Sequence, residues 1–408
     1  MKCRHCGTKL VHTFIDLGSS PPSNSYLTTE TLKRPEKWFP LKVLVCEACW
    51  LVQTDDFVGA SEMFSKDYAY FSSYSTSWVQ HAKKYVESVV KKFSLDSLSN
   101  VVEIAANDGY LLQFVQEKAI PCYGIEPTSS TANAAREKGI EIFEDFFGVK
   151  KAEELSAQGK QADLMVANNV LAHVPDINDF ISGFSRLLKS AGVATFEFPH
   201  LLNLVEQKQF DTIYHEHYSY LSLRAVCTIF QSNGLNVFDV EKLPTHGGSL
   251  RVYAQRLNVN KHLTTASVNM ILSEEEKVGI QTINFYENFQ EKAEKVKNDL
   301  LLFLLEAKQN NKKVVAYGAA AKGNTMLNFA GVRPDLISYV IDRNPAKQGK
   351  FMPGSRIPIV KESILKEDRP DYILILPWNL RHEIAKQLNY VNEWGGVFVS
   401  AVPEMVVQ

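Results

Sequence analysis

The sequence lacks any uninterrupted apolar run long enough to cross a membrane, and Met1-Lys2-Cys3-Arg4 has no apolar core of a signal peptide. A cytoplasmic location is the default expectation. Charge of one sign is also missing: the formal net charge of −2 argues against a general polyanion binder and predicts no nucleic-acid partner. Cysteine is sparse, with 6 in 408 residues, which is not a disulfide framework. What remains is an ordinary soluble composition, 45% hydrophobic and 22% charged, in a chain too long for one core.

Four of the cysteines are paired as Cys3-x-x-Cys6 and Cys46-x-x-Cys49. A turn at each pair directs both thiolates to one ion, so the two knuckles predict a closed, structural four-thiolate zinc site in an N-terminal module. The loop between them has no basic run interleaved with aromatics, which favours a scaffold over a nucleic-acid reader. Cys122 and Cys227 stand alone among apolar neighbours and read as buried small residues.

A helix is expected from Trp78 to Phe93, after which strands and helices alternate. Val101–Ala105 is an apolar strand closed by Asn107-Asp108-Gly109, and Tyr110 to Lys118 reads as helical. Cys122–Glu126 ends in an acid, Thr131 to Gly139 reads as a helix, and Asp163–Asn169 and Val193–Pro199 are further strands. Such alternation indicates an α/β doubly wound sheet with its ligand beyond the carboxyl ends of the strands. Glu103, Asn107, Gly109, Glu126, Asn168 and Asn169 cluster at those ends and are the candidate cofactor residues. Glu126 suits the two hydroxyls of a ribose. The first turn is poorer in glycine than a pyrophosphate-binding turn, which favours S-adenosylmethionine over a dinucleotide.

Tyr214-His215-Glu216-His217-Tyr218-Ser219-Tyr220 packs imidazoles, a carboxylate and phenols into one stretch. Read as an extended segment, it places Tyr214, Glu216 and Tyr218 on one side and His215 and His217 on the other. Proton transfer near neutral pH, donation to developing charge and metal ligation all fit. Tyr218 and Tyr220 read as core or rim aromatics and His215 as a structural hydrogen-bonder. A catalytic metal lacks an evident third ligand. Further on, His246-Gly247-Gly248 allows close backbone approach to a ligand, Arg251 suits a phosphate, and helices are expected between about Ser273 and Gln309. Lys313–Thr325 then opens a second strand–glycine turn–helix unit whose Gly318 turn and Lys322 suit a diphosphate.

These motifs together, with Asn168–Pro175, Phe196–His200 and His246–Arg251, resemble the nucleotide-sugar C-methyltransferases, such as the C-3 methyltransferases of deoxysugar pathways. The resemblance spans essentially the whole chain. It implies a zinc-binding module (1–72), a class I S-adenosylmethionine methyltransferase domain with a Rossmann-like fold (73–256), and a second Rossmann-like domain (257–408). It also implies a structural zinc and a 4-keto-6-deoxy nucleotide sugar, dTDP-linked, methylated at C-3. Its catalytic histidine falls on His217, with Glu216, Tyr214 and His173 in the site and an active-site tyrosine at Tyr68 or Tyr70, Tyr68 preferred. Candidate substrate contacts are Tyr70, His246, Gly248, Arg251 and Lys322. An O- or N-methyltransferase and a non-catalytic zinc-ribbon interaction protein are the competing readings. The oligomeric state is open, with a monomer preferred.

Overall fold

The computed structural model describes residues 1–55, 57, 71–259 and 261–408. Tyr68 and Tyr70 lie outside the described residues. Among those described, strands form sheets of four, seven and six members.

The central sheet holds β4 (Val101–Ile104), β5 (Cys122–Ile125), β6 (Glu141–Phe143), β7 (Ala162–Asn168), β8 (Leu188–Pro199), β10 (Leu235–Leu243) and β11 (Ser249–Arg256), in the order β10-β11-β8-β7-β4-β5-β6. Pairings from β8 through β6 are parallel, and β11 is inserted antiparallel to both its neighbours. Helices on both faces explain why β4 is buried at every position, so a near-continuous apolar run rather than an alternation encodes it. The first helix, Thr76–Phe93, starts where the Ser75 hydroxyl accepts from the Trp78 amide. The helix expected from Tyr110 is shorter, Leu112–Gln116, because Gly109 and its neighbours form the turn itself.

The C-terminal sheet runs β14 (Ile359–Val360), β13 (Val340–Ile341), β12 (Val314–Tyr317), β15 (Tyr372–Ile375), β16 (Val397–Ser400), β17 (Val406–Val407), parallel except for β17. Its order reverses between β12 and β15, the topological switch point of the sheet. The turns beyond these two strands touch: a Cβ on Gly318 would fall 2.5 Å from Pro377. Where one or two long connecting helices are expected from about Ser273 to Gln309, the chain forms three segments, Ala266–Lys277, Ile283–Tyr286 and Phe289–Gln309, the first beginning earlier than expected.

The N-terminal sheet is antiparallel, β1 (His12–Ser20), β2 (Phe39–Val45), β3 (Val52–Thr54), and its fourth strand is β9 (Ser219–Tyr220), drawn from the stretch rich in histidine and tyrosine. Phe14 of β1 stacks on Phe289 at 4.4 Å, so this sheet shares a core with the C-terminal domain. The catalytic candidates are thereby held between all three parts of the chain.

Candidate active site

The stretch from Tyr214 departs at its start from the extended form expected, and only Ser219 and Tyr220 form a strand. The His217 amide donates to the Tyr214 carbonyl at 2.9 Å, closing a turn that brings Tyr214 and His217 to the same side. Their rings lie 4.0 Å apart, and the Tyr214 hydroxyl is 2.8 Å from His217 Nε2. His217 Nδ1 is 2.8 Å from the Thr212 carbonyl. A carbonyl only accepts, so Nδ1 carries the proton and Nε2 accepts from Tyr214. The tautomer is set by Thr212, while the Glu216 carboxylate is held by Asn24 Nδ2 at 2.6 Å. Burial pushes His217 well below the usual imidazole range, and neighbouring His173 adds to the effect. His173 meets the His217 ring edge-on at 4.6 Å. His215 faces away and lies 3.2 Å from the Pro40 carbonyl, a structural contact.

His173 also lines a cavity of ≈ 380 Å³ at the carboxyl ends of β4, β5 and β7. Asn107, Glu126, Asn168 and Asn169 line it too, with Phe146 and Phe147 supplying apolar wall. The Glu126 carboxylate accepts from the Asn107 amide at 2.9 Å and the Thr128 amide at 3.0 Å, so it is fixed at the rim before any ligand arrives. Neither polar atom of the buried Asn168 amide meets a protein partner among the described residues, which suits a ligand with donors and acceptors of its own. Glu103 and Gly109 are not on the cavity wall. Glu103 is buried beneath the turn, and a Cβ on Gly109, at φ +74°, would fall 2.3 Å from Ile140. Both shape the turn that borders the cavity.

The C-terminal domain delivers Lys322. Its ammonium lies 4.7 Å from the centre of the Trp378 ring and 3.1 Å from Asn379 Oδ1, and its charge helps depress both His217 and His246. Trp378 Nε1 donates to Asp211 Oδ2 at 2.7 Å, and burial raises the Asp211 carboxyl to about 6. Asp211 directly precedes Thr212, so this contact also braces the carbonyl that orients His217. Neither Asp211 nor Trp378 stood out in the sequence, although Trp378 falls just past the end of a parallel strand, where ligands are expected.

His246 sits at φ 55°, its Nε2 accepting from Asn169 Nδ2 at 2.8 Å, which places it between the cavity and Lys322. Two other substrate candidates have structural partners. Arg251 lies across the strand register from both Glu197 and Glu241, and its guanidinium reaches Glu197 at 2.8 Å, leaving it buried and neutralised rather than facing a phosphate. A Cβ on Gly248, at φ +109°, would fall 2.0 Å from Asn203 Nδ2, so this glycine is required by packing.

The four zinc candidates also converge. One sulfur from each of Cys3, Cys6, Cys46 and Cys49 lies within 4.8 Å of the others, and Gln53 Nε2 donates to Cys3 Sγ at 3.2 Å. Four thiolates with an outer donor fit a tetrahedral zinc ion.

Two half-buried histidines make stability acid-sensitive. His173 and His246 are both lowered to about 4, by burial first. An unfolded imidazole titrates near 6.5, so between about pH 6.5 and 4 the unfolded chain binds protons that the folded chain refuses. Stability is therefore full above that window and falls with pH through it. At about pH 5 the expected loss is on the order of 1–2 kcal/mol per histidine, read as the shift of the urea midpoint from pH 7.5. His246→Gln should shrink that shift, and an unchanged shift would refute the assignment.

Family models match in succession: "Putative zinc binding domain" over residues 3–64, "Methyltransferase domain" over 78–240 and "C-methyltransferase C-terminal domain" over 244–403. The chain is 34% identical over 403 residues to the C-methyltransferase NovU of Streptomyces niveus, covering 99% of this chain and 96% of that one. It is similar in structure to the PH0226 protein of Pyrococcus horikoshii OT3, with 14% identity, TM-score 0.39, and coverage of 46% of this chain and 95% of that chain. Magnesium protoporphyrin IX methyltransferase of Synechocystis PCC 6803, crystallised with bound SAH, gives 17% identity and TM-score 0.35 over 44% of this chain and 82% of that chain. With a full-length C-methyltransferase relative and zinc, methyltransferase and C-terminal models matched in order, the chain belongs to the C-methyltransferase family.

Proposed function

We propose that this chain uses S-adenosylmethionine to methylate C-3 of a 4-keto-6-deoxy nucleotide sugar, dTDP-linked, and that residues 1–72, 73–256 and 257–408 act as zinc, methyl-donor and nucleotide-sugar units. The observation that carries the reading is His217: a neutral imidazole with Nδ1 committed to Thr212, an unprotonated Nε2, and contact through His173 with the cavity wall.

The sugar's C-4 ketone acidifies its C-3 hydrogen, because the resulting carbanion delocalises into an enolate. His217 Nε2 takes that proton once the substrate displaces the Tyr214 hydroxyl from it. Tyr214 donates to the oxygen on which charge develops. The donor supplies an electrophilic methyl group. Glu126, Asn107, Asn168 and Asn169 hold that donor, and His173 and His246 stand where the two ligands meet. Lys322, at the switch point of the second sheet, pairs with the diphosphate.

The test is a panel of 4-keto nucleotide sugars with S-adenosylmethionine in deuterated water. Solvent exchange at C-3 together with the mass gain of one methyl supports carbon methylation. Methyl transfer to oxygen or nitrogen without exchange would sink it. In the same assay Lys322→Ala should raise KM for the sugar by about tenfold or more, and an unchanged KM would return Lys322 to packing.

A further inference from the structure

The zinc knuckle does more than close on itself. Arg4 lies between two of its cysteines, and its side chain forks, one arm staying on β3 and the other leaving the module. One arm of the guanidinium donates to the Thr54 carbonyl at 2.9 Å, the other to the Pro175 carbonyl at 2.9 Å, and its centre lies 5.2 Å above the Tyr218 ring. The Arg4 amide is fixed by Gln53 Oε1 at 2.9 Å, and the same Gln53 amide group donates to Cys3 Sγ.

Each of those targets belongs to the chemistry. Thr54 holds the histidine stretch twice, its hydroxyl donating to the His217 carbonyl at 3.1 Å and its amide to the Tyr218 carbonyl at 3.1 Å. Pro175 lines the donor cavity beside His173 and Val174. The next knuckle residue reinforces the same loop, with His5 Nδ1 2.7 Å from Asn178 Oδ1 and the Asn178 amide donating back to the His5 carbonyl at 2.8 Å. The Tyr218 amide in turn donates to the Ala172 carbonyl at 2.8 Å, so the histidine stretch and the cavity loop are stitched to each other as well as to Arg4.

We propose that Arg4 is a positioning residue for methyl transfer: its forked guanidinium registers the His217 stretch and the donor-cavity loop against a knuckle that zinc holds rigid. The guanidinium holds its donors in a rigid planar fork, so two carbonyls on different segments are fixed at a set geometry; an ammonium also has donors enough for both, but on its flexible stem it fixes no such geometry. The zinc module is on this view part of the active-site frame, transmitting its rigidity through one side chain. The proposal rests on the reading of the cavity as the donor site.

The experiment uses the full zinc-loaded chain and its Arg4→Ala variant, measuring zinc content, S-adenosylhomocysteine affinity by calorimetry, and kcat and KM. Zinc content should stay at the wild-type level, Kd for S-adenosylhomocysteine should rise and kcat should fall by about tenfold each, and sugar KM should hold within about twofold. Added methylguanidinium should restore part of both losses, which it would not do for a variant that is merely less stable. Affinity and kcat within about twofold of wild type, with zinc retained, would overturn the proposal. If Arg4→Ala sheds its zinc, Arg4→Lys decides: a partial loss supports the fork, and wild-type behaviour refutes it. Failure of the wild-type chain itself to bind S-adenosylhomocysteine would remove the donor reading, and this proposal with it; equal binding by wild type and variant would remove the proposal alone.

Discussion

Replacing His217 by asparagine is expected to lower kcat by about 10²- to 10⁴-fold while S-adenosylhomocysteine affinity stays near wild type. Asparagine can still donate to the Thr212 carbonyl, so the turn that closes on Tyr214 keeps its anchor, but no basic nitrogen is left to replace Nε2. Deuterium exchange at C-3 should fall in parallel with methylation, because both require proton removal. A variant that still exchanges C-3 at the normal rate but methylates slowly would move the base elsewhere. The pH profile gives an independent check. His217 is held well below 6.5 by burial, so the neutral base persists as pH drops through the usual imidazole range. Wild-type kcat should therefore show no imidazole-like fall between about pH 8 and 6, where a solvent-exposed histidine would lose half its activity near 6.5.

Cys46→Ser should have the largest effect on stability. Structural zinc contributes on the order of 10–16 kcal/mol in small modules, and a hydroxyl is a poor substitute for a thiolate ligand. Zinc should be lost on dialysis, and an additional low-temperature unfolding transition should appear. Activity should fall even though no cysteine approaches the donor cavity, because β3, which carries Thr54, follows the Cys46–Cys49 knuckle directly. A variant that keeps its metal and its thermal transition would show that three thiolates suffice.

Much of the architecture was legible because it is encoded locally. Buried parallel strands are written as short apolar runs, and the paired cysteines as turns with a fixed ligand spacing. The strand ends carrying Glu126, Asn168 and Asn169 were legible for the same reason: polar residues that close an apolar run mark the ligand edge of a parallel sheet. What failed was tertiary. The alternating pattern from Tyr214 to Tyr220 is compatible with a strand or a turn, and the contacts that accompany the turn, from Thr212, Thr54 and Ala172, come from outside the stretch. Arg251 after paired glycines looks like a phosphate ligand until the register sets Glu197 and Glu241 opposite it. Asp211 and Trp378 meet across 167 positions of sequence, and no local pattern announces such a pair. An arginine inside a CxxC knuckle is equally silent until its two carbonyl partners are seen.

The Glu275 carboxylate reinforces the frame from the linker side: it accepts from the Leu223 and Arg224 amides at 2.6 and 2.9 Å and meets His200 at 2.7 Å, tying the connecting helix to the start of the helix that follows β9.

The pairing of β9 with β3 also dictates an order of assembly. During synthesis the zinc knuckles emerge first and can bind metal while the ribosome is still making the methyltransferase sheet. The N-terminal sheet must nevertheless wait, with the β3 edge unpaired, until Ser219 and Tyr220 have been translated. The nascent module thus presents an open strand edge for most of the time the central domain is being made, and it is sealed by the strand that follows His217. A chain interrupted before β9 therefore leaves the β3 edge open.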